Sequence, residues 1–94
     1  MDGHHLELND AIAAVAEGDR HAFKLLYDAT APRLYGIALR LLKRRDHAEE
    51  ALQEAFLSVW RNAGQYSRAR GSAFVWLAMI VRNKALDRAR RRRR

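Results

Sequence analysis

The run Asp46-His47-Ala48-Glu49-Glu50-Ala51-Leu52-Gln53-Glu54-Ala55-Phe56-Leu57-Ser58-Val59-Trp60 decides the fold. Ala48, Leu52, Ala55, Phe56, Val59 and Trp60, continued by Ala63, recur at helical steps, which puts them along one side of an α-helix. A half-buried strand would need strict alternation, and the run has none. Glu50, Gln53, Glu54, Leu57 and Arg61 fall on the opposite side. Asp46, with Glu49 three residues later, predicts the helix start as a capping box with Asp in the place of Ser or Thr. Gly64 predicts its end.

The same spacing extends in both directions. Upstream, a first helix is expected from Asn9 or Asp10 to Glu17, with Ile12, Val15 and Ala16 inward and Gly18 as its terminator. Asp19 then caps a second segment over residues 20–44, in which Phe23, Leu26, Tyr27, Leu34, Ile37, Ala38, Leu41 and Leu42 repeat in helical phase. Pro32 removes one backbone donor and crowds the carbonyl of Asp28. The periodicity continues in phase beyond it, so one helix kinked at Pro32 is expected rather than two. Downstream, a loop covers residues 65–71, Ser72 is the N-cap, and a last helix runs from Ala73 into the arginines. Phe74, Leu77, Ile80 or Val81, and Ala85 face inward, while Arg82, Asn83, Lys84, Arg88 and Arg90 project elsewhere. Like-charge repulsion predicts fraying over Arg90–Arg94. The expected fold is all-α, a compact bundle of four helices with the second long, in one domain over residues 1–94.

With 94 residues and a hydrophobic fraction of 49%, the chain suits a folded domain with little spare stability. It has no cysteine, which excludes disulfides and Cys-based zinc sites. No apolar run is long enough to span a bilayer, so no membrane partner is expected. The start, Met1-Asp2-Gly3-His4-His5, lacks the basic and apolar regions of a signal peptide, and the expected location is cytoplasmic. The abrupt arginine ending suggests one domain of a longer protein. Charge is divided along the chain. Residues 1–60 carry seven Lys/Arg and ten Asp/Glu; residues 61–94 carry eleven Lys/Arg and one acid, Asp87. A basic end of this strength points to a polyanion, most often nucleic acid.

The residues suggest how such a partner is held. Arg70-Gly71-Ser72 puts a turn before a helix N-terminus, whose amides suit an anion. Tyr66 and Trp76 flank the turn and offer rings for base stacking, although Trp76 reads better as core. Asn83 has the two-sided amide that can grip one base edge, or it is an ordinary surface amide. On the third helix, acids near the N-terminus stabilise it by a few tenths of a kcal/mol each. Glu50, Gln53, Glu54 and Leu57 also form one stripe, in which an apolar residue among acids suits a docking helix.

As a set these residues resemble the second domain of bacterial sigma factors of the extracytoplasmic-function (ECF) group, in the sigma-70 family. Asp46–Trp60 resembles that family's core-polymerase-binding helix. Phe23-Lys24-Leu25-Leu26-Tyr27 with Pro32-Arg33-Leu34-Tyr35-Gly36 resembles the preceding helix, and Arg70-Gly71-Ser72-Ala73-Phe74, Trp76-Leu77, Ile80, Asn83 and Asp87 resemble the promoter-reading segment. The resemblance runs from about residue 10 to 92. It implies an initiation factor that recognises the minus-ten promoter element and starts strand opening, with no catalytic chemistry of its own. It implies docking on the clamp coiled coil of RNA polymerase core through Asp46, Glu50, Gln53, Glu54 and Leu57. It implies that Tyr66, Ser67, Arg68, Arg70 and Ser72 hold a flipped non-template base near Asn83, while Arg82, Lys84, Arg88, Arg90, Arg91 and the arginines after them follow phosphates. It also implies an anti-sigma partner. Met79 and Ile80 stand where housekeeping sigma factors have wedging tryptophans, Ser67-Arg68 replaces the usual acidic or polar residue of the capture loop, and the domain that reads the minus-thirty-five element (region 4) is absent from this chain.

Two other readings compete: a domain held mainly by an anti-sigma protein, and a nonspecific basic helical nucleic-acid binder, in which the acidic helix has no role. An enzyme is not expected, because the chain has no nucleophile–base pairing and no phosphate-binding glycine loop. No metal or other cofactor is expected either. His4, His5 and Glu7 lack the spacing of a ligand set.

Overall fold

Helical phase carries the chain into four helices in the computed structural model, which describes residues 7–92: α1 (Leu8–Ala16), α2 (Arg20–Leu42), α3 (Arg45–Asn62) and α4 (Ala73–Arg92). His4, His5, Arg93 and Arg94 lie outside the described residues. Between α3 and α4 run two short 3-10 turns, Ala63–Gln65 and Arg68–Arg70. The all-α expectation holds, and α4 reaches Arg92, so the first residues of the arginine run are helical. Arginine favours helix, and Arg90 donates to Asp87 one turn back, which offsets part of the repulsion.

Glycine is needed where α1 stops. The amide of Gly18 bonds the carbonyl of Val15 at 2.9 Å, and that of Asp19 bonds Ala14 at 3.1 Å. These two bonds form a Schellman close, and Gly18 takes the required φ of +88°. Asp19 then caps α2 by accepting from the Ala22 amide at 3.0 Å. α2 runs as one helix through Pro32. Asp28 and Pro32 both face solvent, so water can replace the donor that proline removes. Two residues before Pro32, buried Thr30 satisfies its hydroxyl by donating to the Leu26 carbonyl at 2.8 Å.

α2 packs against each of the other three helices, and α3 also packs on α4. The core joins Ile12 and Val15 of α1, Leu26, Leu34 and Ala38 of α2, Phe56 and Val59 of α3, and Leu77, Val81 and Ala85 of α4. Edge-to-face rings extend it toward the surface: Phe23 lies 5.3 Å from Trp60, and Tyr27 lies 4.9 Å from Phe56. Arg33 of α2 sits 4.2 Å above the Phe74 ring and ties down the first turn of α4.

Some inward assignments move. Ala11, not Ala16, is buried on α1, and exposing a lone alanine costs little. Leu41 is exposed because Leu34, Ala38 and Leu42 already define the buried line and Leu41 lies about 100° off it. Val81 takes the core position and Ile80 stays half-buried.

The start of α3 also differs from the capping box. Arg44 is the N-cap and Asp46 lies inside the first turn. The Asp46 carboxylate accepts from Arg44 Nε at 3.1 Å and Nη2 at 3.0 Å, and from the His47 amide at 2.9 Å. The arginine fork draws the carboxylate back along the chain, so it serves a first-turn amide without standing at the cap. The Arg44 hydrogen bond holds the Asp46 carboxyl down at about 2. A native-state value below the ordinary carboxylate range means that this pair stabilises the fold above about pH 4. Its contribution falls away as pH drops toward 2. An NMR pH titration should show Asp46 titrating near 2, and Arg44→Ala should return it to the usual carboxylate range.

Lys43 closes α2 in the left-handed region with φ +67°, its amide bonded to the Leu39 carbonyl at 2.8 Å. A side chain there is strained. Lys43→Gly should relieve that strain and stabilise the fold by about 0.5–1 kcal/mol. Thermal denaturation followed by circular dichroism should show a rise of a few degrees, with none for Lys43→Ala.

Candidate functional site

The acidic residues of α3 come together as the helix predicts. Glu50 and Gln53 are exposed, Glu54 is half-buried, and Leu57 stands 54% exposed beside them. Gln53 and Leu57 line a shallow apolar cleft with Phe23, Tyr27 and Phe56. A second groove continues past Tyr27 and Gln53 to Pro32, Tyr35 and Leu39, with Glu49 and Arg45 on its lining. The α3 face is therefore a carboxylate row beside a greasy slot, shaped for a helix with basic and apolar residues. Asp46 sits at its amino end and is committed to Arg44.

Across the bundle, the basic residues of α4 divide into two groups. Arg88 turns toward α3. It donates from Nη1 to Glu54 at 3.1 Å and from Nη2 to Glu50, so one guanidinium spans two carboxylates four residues apart. Its side chain is only 20% exposed, and its buried Nε has no acceptor among the described residues. Arg91 approaches the other oxygen of Glu54 at 4.0 Å. Arg88, expected on phosphates, thus clasps α4 to the acidic stripe. This contact joins residues more than thirty positions apart, which no local pattern reveals.

Arg82 and Asn83 are exposed, Lys84 is half-buried, and Arg90 and Arg91 are exposed. Among the described residues no carboxylate pairs with Arg82 or Lys84. Val75, Met79 and Asn83 follow one another at four-residue steps along α4. Val75 and Met79 are 48% and 55% exposed, so an apolar ridge leads to the Asn83 amide. The sequence reading passed over Val75; its phase with Asn83 was the available signal.

The loop before α4 is more committed than its sequence suggests. Ser72 caps α4, its Oγ accepting from the Val75 amide at 3.2 Å, as expected. Trp76 is 9% exposed and belongs to the core. Tyr66 lays its ring 5.2 Å from Trp76, centroid to centroid, so it is a half-buried packing ring and not an open platform. Its hydroxyl donates to the Gly71 carbonyl at 2.9 Å. Arg68 points its guanidinium at Asn9 of α1. Ser67 and Arg70 remain exposed. Asn9 carried no functional expectation from sequence, because its partners lie more than fifty residues away.

Among the described residues no group of His, Asp or Glu is arranged to hold a metal ion, and no helix is long and apolar enough to cross a membrane. The arrangement supplies cations, an amide, an apolar ridge and a carboxylate face, which suits binding on two sides.

The sigma-70 region 2 family matches residues 26–94. An ECF RNA polymerase sigma factor, SigK of Mycobacterium ulcerans (strain Agy99), is 39% identical over 84 residues, which cover 89% of this chain and 45% of that protein. SigK of Mycobacterium tuberculosis (strain ATCC 25618 / H37Rv) is 40% identical over 84 residues, with the same coverage of 89% and 45%. SigK of Mycolicibacterium vanbaalenii is also 40% identical over 84 residues, covering 43% of its length. The chain spans less than half the length of these relatives. A family match over residues 26–94, which takes in α3, α4 and most of α2, leads to one assignment: this chain belongs to the sigma-70 region 2 family.

Proposed function

We propose that this chain is the part of a transcription initiation factor that docks on bacterial RNA polymerase core through α3 and reads the minus-ten promoter element through α4 and the loop before it. The observation that carries the reading is the pairing of two unlike faces on adjacent helices. Glu50, Gln53, Glu54 and Leu57 offer acids and an apolar knob on α3; Arg82, Asn83, Arg90 and Arg91 offer cations and an amide on α4. A nonspecific nucleic-acid binder has no use for the first face.

The roles divide by chemistry. Leu57 enters an apolar gap on the clamp coiled coil, and the carboxylates meet its cations. Arg82, Lys84, Arg90 and Arg91 follow phosphates, which gives affinity and a salt slope without sequence preference. Asn83 reads the edge of a non-template base flipped out of the stack, and Ser67, Arg70 and the backbone of the loop surround that base. Val75 and Met79 cover the apolar face of a neighbouring base, where stacking favours the open strand. Opening is binding energy spent on the separated strands, so no catalytic group is needed. The same α3 face suits an inhibitory anti-sigma protein that excludes polymerase. Work on polymerase places the chain in the cytoplasm.

Calorimetric titration with the isolated clamp coiled coil tests the docking half. The chain should bind with a Kd of about a micromolar. Leu57→Asp, which touches no ion pair, should weaken binding at least about tenfold, or 1.4 kcal/mol, with the melting temperature unchanged. A folded chain that binds no coiled coil, or a Leu57→Asp chain that binds as well, would overturn the assignment of this face.

A further inference from the structure

Asn9 of α1 hydrogen-bonds two residues of the loop that meets the base, Tyr66 and Arg68. The Tyr66 hydroxyl carries one proton, and both Gly71 O and the Asn9 amide lie 2.9 Å from it. A carbonyl can only accept, so the proton goes to Gly71. Asn9 must then present its NH2 group to the Tyr66 oxygen. That orientation turns its carbonyl oxygen to Arg68, 3.1 Å from Nη2 and 3.3 Å from Nε. The result is one directed chain: Arg68 donates to Asn9, Asn9 to Tyr66, and Tyr66 to Gly71, with the single Tyr66 proton used.

The tether acts where packing does not. Ser67, Arg68, Ala69, Arg70, Gly71 and Ser72 are all exposed, so between Tyr66 and Ala73 no side chain of the loop enters the core. Gly71 sits at φ +107°, a conformation with many alternatives for glycine, and its carbonyl is fixed by Tyr66. A loop ordered beforehand loses less entropy on binding and presents one shape to the base.

We propose that Asn9 is a positioning residue: through Arg68 and Tyr66 it holds the 66–71 loop in one conformation and so sets the loop's base selectivity. The inference rests on the promoter reading above. Asn9 touches no base itself. Tyr66 and Arg68 serve it as tethers and not as direct contacts, which leaves Ser67, Arg70, Asn83 and the loop backbone to meet the nucleotide. The Asn9 amide suits the position, because one group accepts from a cation while the other donates to a phenol. Asn9→Asp keeps the bond from Arg68 but leaves the single Tyr66 proton two competing acceptors.

The test selects bound single strands from a pool randomised over the minus-ten positions, using the free chain, Asn9→Ala, Asn9→Asp and Tyr66→Phe. Amide hydrogen exchange of the same chains reads the loop directly, through the Arg70 and Gly71 amides that bond Ser67 O and Arg68 O. The wild type should prefer one base by about tenfold or more, the value of a good contact. Each variant should lose most of that preference while total affinity changes by less than about threefold, since the phosphate contacts remain. Exchange at Arg70 and Gly71 should quicken at least about tenfold, with the α2–α4 core as protected as before. Tyr66→Phe keeps the ring against Trp76, so it separates the hydrogen-bond chain from packing. A wild type that discriminates, with variants that discriminate equally or keep their loop protection, overturns this inference alone. A wild type without base preference overturns the promoter reading, and the inference falls with it.

Discussion

Alanine at the helix contacts is the constraint on which the rest of the structure depends. Ala48, Ala51 and Ala55 of α3, Ala38 of α2 and Ala85 of α4 are all fully buried. A side chain that ends at Cβ lets helix backbones approach toward the near end of the usual 8–10 Å range. Across the α3–α4 contact Arg88 reaches Glu50 and Glu54 together. The cost is a thin core. Each buried alanine contributes far less than a leucine, at about 0.8 kcal/mol per buried CH2 group. The larger share falls to Leu26, Leu34, Phe56, Leu77 and the rings of Phe23, Tyr27 and Trp60. The aromatic edge then serves twice, because Phe23, Tyr27 and Phe56 also wall the cleft beside Leu57.

The Arg88 clasp explains how one small domain carries faces of opposite charge. Glu50 and Glu54 lie four apart on α3, where like charges repel. A single half-buried guanidinium relieves that repulsion and ties the acidic stripe of α3 to the basic helix α4. Exposed ion pairs contribute little to stability, but this one is forked and its guanidinium is mostly covered, although both carboxylates stay in contact with water. Arg88 is therefore part of the scaffold that sets α4 against α3, and under the proposed function the cations left for DNA are those that point away from α3.

The fold was legible wherever one local rule governed. Helical phase located all four helices, Asp19 and Ser72 capped as their residue types predict, and Trp76 went to the core. The misassignments came where two rules competed. Asp46 looks like a cap, but Arg44 two residues back captures its carboxylate and takes the cap position. Leu41 is apolar, but its angle on α2 faces water. The candidate site was legible as residue types and faces, not as partnerships. Arg88 with Glu50 and Glu54, and Asn9 with Tyr66 and Arg68, join distant segments, and side-chain bonds of that kind follow from packing and not from any sequence spacing.

The central claim is that α3 and α4 present two faces that are occupied at the same time. It is tested most directly by titrating a fluorescent minus-ten single strand into the chain already saturated with clamp coiled coil. The account predicts a ternary complex, with the strand binding at least as tightly as it binds the free chain, because docking through Leu57 and its cleft and strand binding through Arg82 and Asn83 use separate residues. Mutual exclusion of strand and coiled coil would contradict it, since one surface would then be serving both.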